Sequence, residues 1–123
     1  MVVDVQANVG KNRLFIRIEG RLDDAQARSI ADAIIKEMDR LRPGFDVVSD
    51  LTQAEPLGPE GSAQLKRVLE AQRERKYGRA VRIVGRSTQT ALQFARDSKE
   101  MQHEPHLAFS LEEAERLLDG LLP

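Results

Sequence analysis

Four stretches of this chain carry apolar residues at three- and four-residue steps, and short apolar runs bounded by glycine or proline separate them. Two strand-like segments with a two-residue period precede the series. This alternation restricts the fold more than any other feature. A helix placed between successive buried strands forces parallel crossovers, and parallel strands need helices over their faces. The pattern predicts an α/β domain with a mixed, mostly parallel sheet.

The opening segment alternates Val3, Val5, Ala7 and Val9 with Asp4, Gln6 and Asn8, as a half-exposed strand does. Gly10-Lys11-Asn12 reads as a tight reversal, and Leu14, Ile16 and Ile18 then alternate with Phe15, Arg17 and Glu19 in a second strand. Asp23 with Gln26 three residues on predicts a capping box for a helix whose stripe is Ala27, Ile30, Ile34, Met38 and Leu41, ended by Arg42-Pro43-Gly44. A buried strand is expected over Phe45 to Leu51, a loop over Gln53 to Gly58, and a helix from near Pro59 to about Tyr77, with Leu65, Val68, Leu69 and Ala71 inward and Gly78 closing it. Ala80 to Val84 reads as a strand stopped by Gly85. Ser87 is placed to cap a helix carrying Ala91, Leu92, Phe94 and Ala95. Lys99 to His106 reads as a connection and Leu107 to Phe109 as a short strand. Ser110 with Glu113 then predicts a capping box for a last helix that buries Leu111, Ala114, Leu117 and Leu118 and ends at Gly120. The expected order is ββαβαβαβα, in a single domain over residues 1–123.

With 123 residues, the chain is long enough to bury roughly two-thirds of its unfolded surface. Aromatic residues are only 4% of it, so the core must be aliphatic. The absence of cysteine excludes disulfides, thiolate metal sites and cysteine nucleophiles. No apolar run approaches the roughly 20 residues that span a bilayer, and Asp4 and Gln6 interrupt the N-terminus at once, so the expectation is a cytoplasmic chain without a membrane span. A net charge of −1 argues against general nucleic-acid binding. The charge is unevenly spread: Lys66 to Arg86 holds eight basic residues against two acidic, whereas Glu19 to Glu60 holds ten acidic against five basic. Such a basic stretch reads either as a solvated helix face or as a docking surface for an acidic partner.

The element order resembles the STAS domain, the module of anti-sigma factor antagonists and of sulfate-transporter cytoplasmic regions. Gly20-Arg21-Leu22-Asp23 stands where that family commonly has a Gly-x-Leu-Asp turn, and Asp50-Leu51-Thr52 where it has Asp-Leu-Ser at the end of the central strand. The resemblance covers essentially the whole chain and implies a non-catalytic, regulatory protein-interaction role, with an anti-sigma-type regulator as partner. One motif departs from the family. Its antagonists carry Asp-Ser-Ser-Gly after this strand, with a serine that the partner kinase phosphorylates. With Gly61 on the motif's glycine, Pro59 and Glu60 fall on its two serines, and neither accepts a phosphate. Control by phosphorylation at the family position is therefore not expected. Glu60 reads as a favourable first-turn residue or as a fixed negative charge in place of a phosphate. Ser62 and Thr52 are the remaining hydroxyls of this region, as phosphate acceptors or as capping and solvent-facing groups.

Catalytic arrangements find little support. His103-x-x-His106 has the spacing of a metal-binding pair, but Pro105 between them opposes the helix that would align the rings, and a surface-loop role is expected. No Gly-x-Ser-x-Gly elbow precedes a helix, and Gly58-Pro59-Glu60-Gly61-Ser62 lacks a phosphate-loop ending. Asp46 and Asp50 fall on one face of a strand, and Asp50, near its C-terminal end, reads as a ligand contact or as an anchor for the following loop. No cofactor and no metal are expected. The expected interaction surface comprises Asp50, Thr52, Glu60, Ser62, Arg67, Arg86 and Ser87, at the C-terminal rim of the sheet. The alternative is a small-molecule or anion sensor, with the helix N-termini at Gly58–Ser62 and Arg86–Thr88 facing a ligand beside Arg86. An open edge strand and Phe15 on the less covered sheet face leave a homodimer open.

Overall fold

The structure, a computed structural model, describes residues 2–85 and 87–120. Among these residues the elements follow in the expected order: β1 (Val2–Asn8), β2 (Arg13–Gly20), α1 (Asp24–Met38), β3 (Asp46–Ala54), α2 (Pro59–Glu74), β4 (Ala80–Ile83), α3 (Thr88–Glu100), β5 (His106–Ala108) and α4 (Leu111–Leu118). All five strands join one sheet in the order β1-β2-β3-β4-β5. The hairpin pair β1–β2 is antiparallel, and β2–β3, β3–β4 and β4–β5 are parallel.

Strands added successively on one side, with right-handed crossovers, place every crossover helix on the same face. Accordingly α1, α2 and α3 cover one face and α4, which follows the last strand, covers the other. Strand alternation divides the core in the same way. Leu14, Ile16 and Val47 pack with Ala31, Ile34, Met38 and Val68 on the three-helix side, whereas Val48, Val81, Ile83 and Ala108 pack with Ala114 and Leu118 of α4. Phe15 lies on this second face, half-buried against the α4 cluster, with the Arg17 guanidinium 5.5 Å above its ring. Arg13, also on that face, is buried and forms ion pairs with Glu115 and Asp119 of α4, the second at 3.0 Å. The Arg13 hydrogen bond is the main reason that the Asp119 carboxyl titrates below its ordinary range.

Several boundaries differ from the sequence expectation, each for a local reason. Asn12, at φ 54°, takes the left-handed position of the hairpin turn, and its amide bridges the backbone N–H and C=O of Arg42 at 2.8 and 3.2 Å. Helix α1 stops at Met38 rather than at Pro43, because the chain tightens into three-residue hydrogen bonds from Arg40 to Glu37 and from Leu41 to Met38. Leu41 still packs on the core. Strand β3 continues past Leu51 to Ala54, since β2 runs beside it across a register shift to pair Glu19 with Gln53 and Gly20 with Ala54. The segment expected to open a loop at Gln53 is therefore partly strand. Helix α2 ends at Glu74, with Lys76 at φ 56° turning the chain. Gly78 serves a close approach instead of closing the helix. A Cβ there would stand 2.5 Å from the Gly44 carbonyl oxygen, so only glycine lets the two backbones meet. Strand β4 ends at Ile83, α3 extends to Glu100, and β5 begins at His106, one residue before the expected start. The capping box of α1 is complete, with Gln26 N–H on Asp23 Oδ1 at 2.7 Å and Asp23 N–H on Gln26 Oε1 at 2.9 Å. In α4, Ser110 caps the Glu113 N–H, but the Glu113 carboxylate accepts from Phe109 N–H rather than from the cap residue, and Leu111 is exposed rather than buried.

Candidate functional site

The C-terminal ends of β3 and β4 and the first turns of α2 and α3 meet at one rim of the sheet. A Cβ at Gly85 would lie 2.3 Å from the Thr52 carbonyl oxygen, so glycine allows the β4 exit to touch the end of β3. Between Ala54 and Pro59 the chain makes no regular ladder, yet it is fastened along its length. Glu55 N–H donates to the Gly20 carbonyl at 3.1 Å, and the Thr90 hydroxyl donates to the Ala54 carbonyl at 3.2 Å. The Gln93 amide clamps Leu57 on both backbone groups, at 2.6 Å to its N–H and 2.5 Å to its C=O. The loop is thus held in one conformation while Gln53, Glu55, Gly58 and Pro59 remain exposed.

Most of the expected surface residues sit at this rim, but their polar groups are directed inward. Asp50 is buried, and its carboxylate accepts from the Thr52 N–H at 3.1 Å and the Thr52 hydroxyl at 2.8 Å and pairs with Arg17 at 3.3 Å. This is the loop-anchoring reading of Asp50. Thr52 is the donor in that anchor. The Ser62 hydroxyl donates to the Asp97 carboxylate at 2.6 Å. Ser87 caps α3 through the Thr90 N–H, as expected. Glu60 stands in the first turn of α2, hydrogen-bonded by Gln64 and paired with Arg28 of α1 at 3.2 Å, and these two partners hold its carboxyl below the ordinary range. Arg67 lies two turns further along α2 and pairs with Asp32 of α1 at 2.5 Å, so it belongs to the helix–helix seam rather than to the rim. Arg86 lies outside the described residues.

The uneven charge finds an intramolecular match. The acidic segment supplies Asp32 and Asp39 of the α1 side, the basic segment supplies Arg67 and Arg75 of the α2 side, and the two helices are joined by pairs at 2.5 and 2.8 Å. Lys66 pairs with Glu100 of α3, and Arg79 with Asp46 at the start of β3. Exposed pairs of this kind add little stability singly, but they consume the charge that a docking surface would offer.

Helix α3 departs furthest from its sequence reading. Leu92 and Ala95 face outward, Leu92 at 66% exposure, while Thr90, Asp97 and Ser98 are buried beside Phe94. The inward positions 90, 94, 97 and 98 have helical spacing; the signal was present, carried by polar side chains. They face further polar residues that the sequence reading did not select. Arg82 of β4, 6% exposed, donates to the Ser98 hydroxyl at 2.8 Å and lies 5.5 Å over the Phe94 ring. His103, expected in a surface loop, is also 6% exposed; its Nε2 meets Gln72 Oε1 at 3.1 Å, and its ring stacks on Tyr77 at 5.1 Å. Burial and the nearby Arg82 charge push the His103 imidazole down from 6.5 to about 4, and burial lowers the Arg82 guanidinium to about 10. Between this cluster, the sheet and helices α1 and α2 lies a cavity of about 70 Å³, mostly apolar, into which Arg82, His103 and Gln64 contribute.

His106 is exposed in β5, whereas His103 is buried. No group of three or more histidine, aspartate or glutamate side chains among the described residues is arranged to hold a metal ion. Among the described residues, no helix is long and apolar enough to cross a membrane. Compared with known proteins, the chain matches neither a family model nor a curated protein.

Proposed function

We propose that this chain is a non-catalytic regulatory module that binds a protein partner through the rim formed by residues 53–59 and the first turn of α2. One observation supports the reading above the others: the Ala54–Pro59 loop is fixed by Gly20, Thr90 and both ends of the Gln93 amide, yet its outer residues are exposed. A loop immobilised in advance loses little further entropy on association, which is how a rigid scaffold presents a binding segment. The likeness of the Gly20–Asp23 and Asp50–Thr52 segments to STAS domains suggests an anti-sigma-type regulator as the partner and the cytoplasm as the compartment. Pro59 and Glu60 at the family's serine positions leave such binding without a phosphate switch there.

The substitutions that test this must leave the helix seam intact, which excludes Glu60 and Arg67. Glu55→Arg and Gln53→Arg are expected to abolish capture of the partner that the wild-type chain retains, with an unchanged melting temperature. If both variants still capture the same protein at wild-type strength, the rim is not the docking surface. Gln93→Ala removes two hydrogen bonds from the Leu57 backbone and is expected to cost about 1 kcal/mol of stability. It should also speed amide exchange at Glu55, Leu57 and Gly58 while β3 exchange stays slow.

A further inference from the structure

The cavity under α1 and α2 begins at the rim. Leu57 lines it, and a Cβ on Gly61 would stand 3.1 Å from the Leu57 Cβ, so glycine lets this side chain fold onto the first turn of α2. From there the cavity follows β3 past Leu51 and Ser49 to Val47, a run of roughly 13 Å. Leu22, Leu57 and Leu65 are half-buried at the rim end, whereas Ile34, Val47 and Ala80 are buried at the other.

The space remains because the middle residue of the central strand is small. On the same face of β3, Val47 is 1% exposed and Leu51 6%, yet Ser49 between them is only half-buried. Its neighbours across the sheet, Ile16 and Arg82, are both buried, so the opening lies above Ser49 itself. A β-branched aliphatic residue is the usual occupant of such a position. Among the described residues the Ser49 hydroxyl has no hydrogen-bond partner. The unpartnered atoms Arg82 Nε, His103 Nδ1 and Gln64 Oε1 are closed off and offer an occupant nothing.

An occupant therefore meets aliphatic walls and a hydroxyl on the floor that both donates and accepts. A charged group there would lose its hydration, which is costly. The volume of about 70 Å³ holds about five to seven water-sized groups, and the run along β3 favours an unbranched chain.

We propose that this cavity binds a short, unbranched, neutral aliphatic molecule with one hydroxyl or carbonyl oxygen. The oxygen pairs with the Ser49 hydroxyl, and the chain lies along β3 beneath α1 and α2. Because Leu57 belongs to both the cavity and the rim loop, an occupant steadies that loop. Any effect on partner capture rests on the rim reading, whereas occupancy does not. A chain that captures no partner but binds the probes loses the rim reading alone.

The test is a titration of the purified chain, followed by methyl and amide NMR shifts, with propan-1-ol, butan-1-ol, hexan-1-ol, octan-1-ol and butanoate. Saturable shifts are expected at Ile16, Val47 and Val68. Affinity should rise about fourfold per methylene up to hexan-1-ol and then level off, because further carbons reach solvent. Butanoate, too short to fill the cavity with its carboxylate in water, is expected to bind at least tenfold more weakly than butan-1-ol. Ser49→Ala is expected to weaken the alcohols about three- to tenfold. Ser49→Ile fills the space; it is expected to abolish binding and to raise the Tm by about 2–8 °C. With hexan-1-ol bound, amide exchange at Leu57 is expected to slow at least twofold. The proposal is overturned if no alcohol gives saturable shifts, if affinity climbs undiminished to octan-1-ol, if butanoate equals butan-1-ol, or if Ser49→Ile lowers the Tm. Unchanged exchange at Leu57 overturns the link to the rim. Should Ser49→Ile not fold, the wild-type chain-length series decides the matter.

Discussion

Phe45→Ala is expected to lower the stability of this chain by roughly 3–5 kcal/mol, the range for removing a large aromatic side chain from a close-packed core. Phe45 is 1% exposed and sits immediately before β3, packed in the cluster of Leu14, Ile34, Met38 and Val47. Its surroundings have little freedom to close over the space left behind. Its N–H donates to the Arg42 carbonyl at 3.2 Å, and its carbonyl accepts from Gly78 N–H at 2.6 Å. Gly78 is itself pressed against Gly44, so the backbone on both sides is fixed. Domains of this size are typically stable by only about 5–15 kcal/mol, so a loss of this size is a substantial part of the total. Urea unfolding should show a large drop in midpoint with an unchanged slope. A loss below about 1 kcal/mol would mean that the aliphatic core repacks around alanine, contrary to the geometry described.

Acidification from pH 7.5 to 5.0 is expected to cost about 2 kcal/mol through His103 alone. The folded imidazole titrates near 4 against an ordinary value of 6.5, with burial the first cause and the Arg82 charge the second. The folded state therefore holds the ring neutral, and the unfolded chain takes up the proton first as the pH falls. The stabilisation is complete above pH 6.5, declines as the pH falls below it, and is fully lost near pH 4. Gln72, Tyr77 and Arg82 surround the ring. His103→Gln, measured by urea unfolding at the two pH values, is expected to remove most of the difference. If wild type and variant show the same acid sensitivity, His103 is not the group responsible.

The hairpin, the caps and the element order were legible because each rests on neighbours in the chain. Asp23 and Gln26 are three residues apart, as are Ser87 and Thr90, and β1 and β2 display their faces by simple alternation. The ends of elements were less legible where distant backbone decided them. Strand β3 is extended to Ala54 by β2 alongside it, and Gly78 is required by Gly44, some thirty positions earlier in the chain. The rim was located correctly in outline, since Thr52 and Gly85 do meet there. Its side chains were misread because a hydroxyl or carboxylate looks available in sequence whether it faces solvent or a partner. Asp50 was identified beside Thr52, but Asp97 beneath Ser62 and Gln93 beneath Leu57 were not, because each pair is separated by about a helix and a strand.

Periodicity and local capping by themselves determined that this chain builds a mixed sheet with an opening hairpin and crossover helices, since burying a striped helix and an apolar strand admits few arrangements. Tertiary structure alone decided which charges cancel and which polar groups turn inward. The acidic α1 and basic α2 segments neutralise one another, and Arg82, His103 and Asp97 enter the interior of a chain whose composition suggested only an aliphatic core. The reason is that a buried polar group is tolerated only where its partners converge in space. That convergence arises from packing α2, α3 and β4 together and has no counterpart in any short stretch of residues.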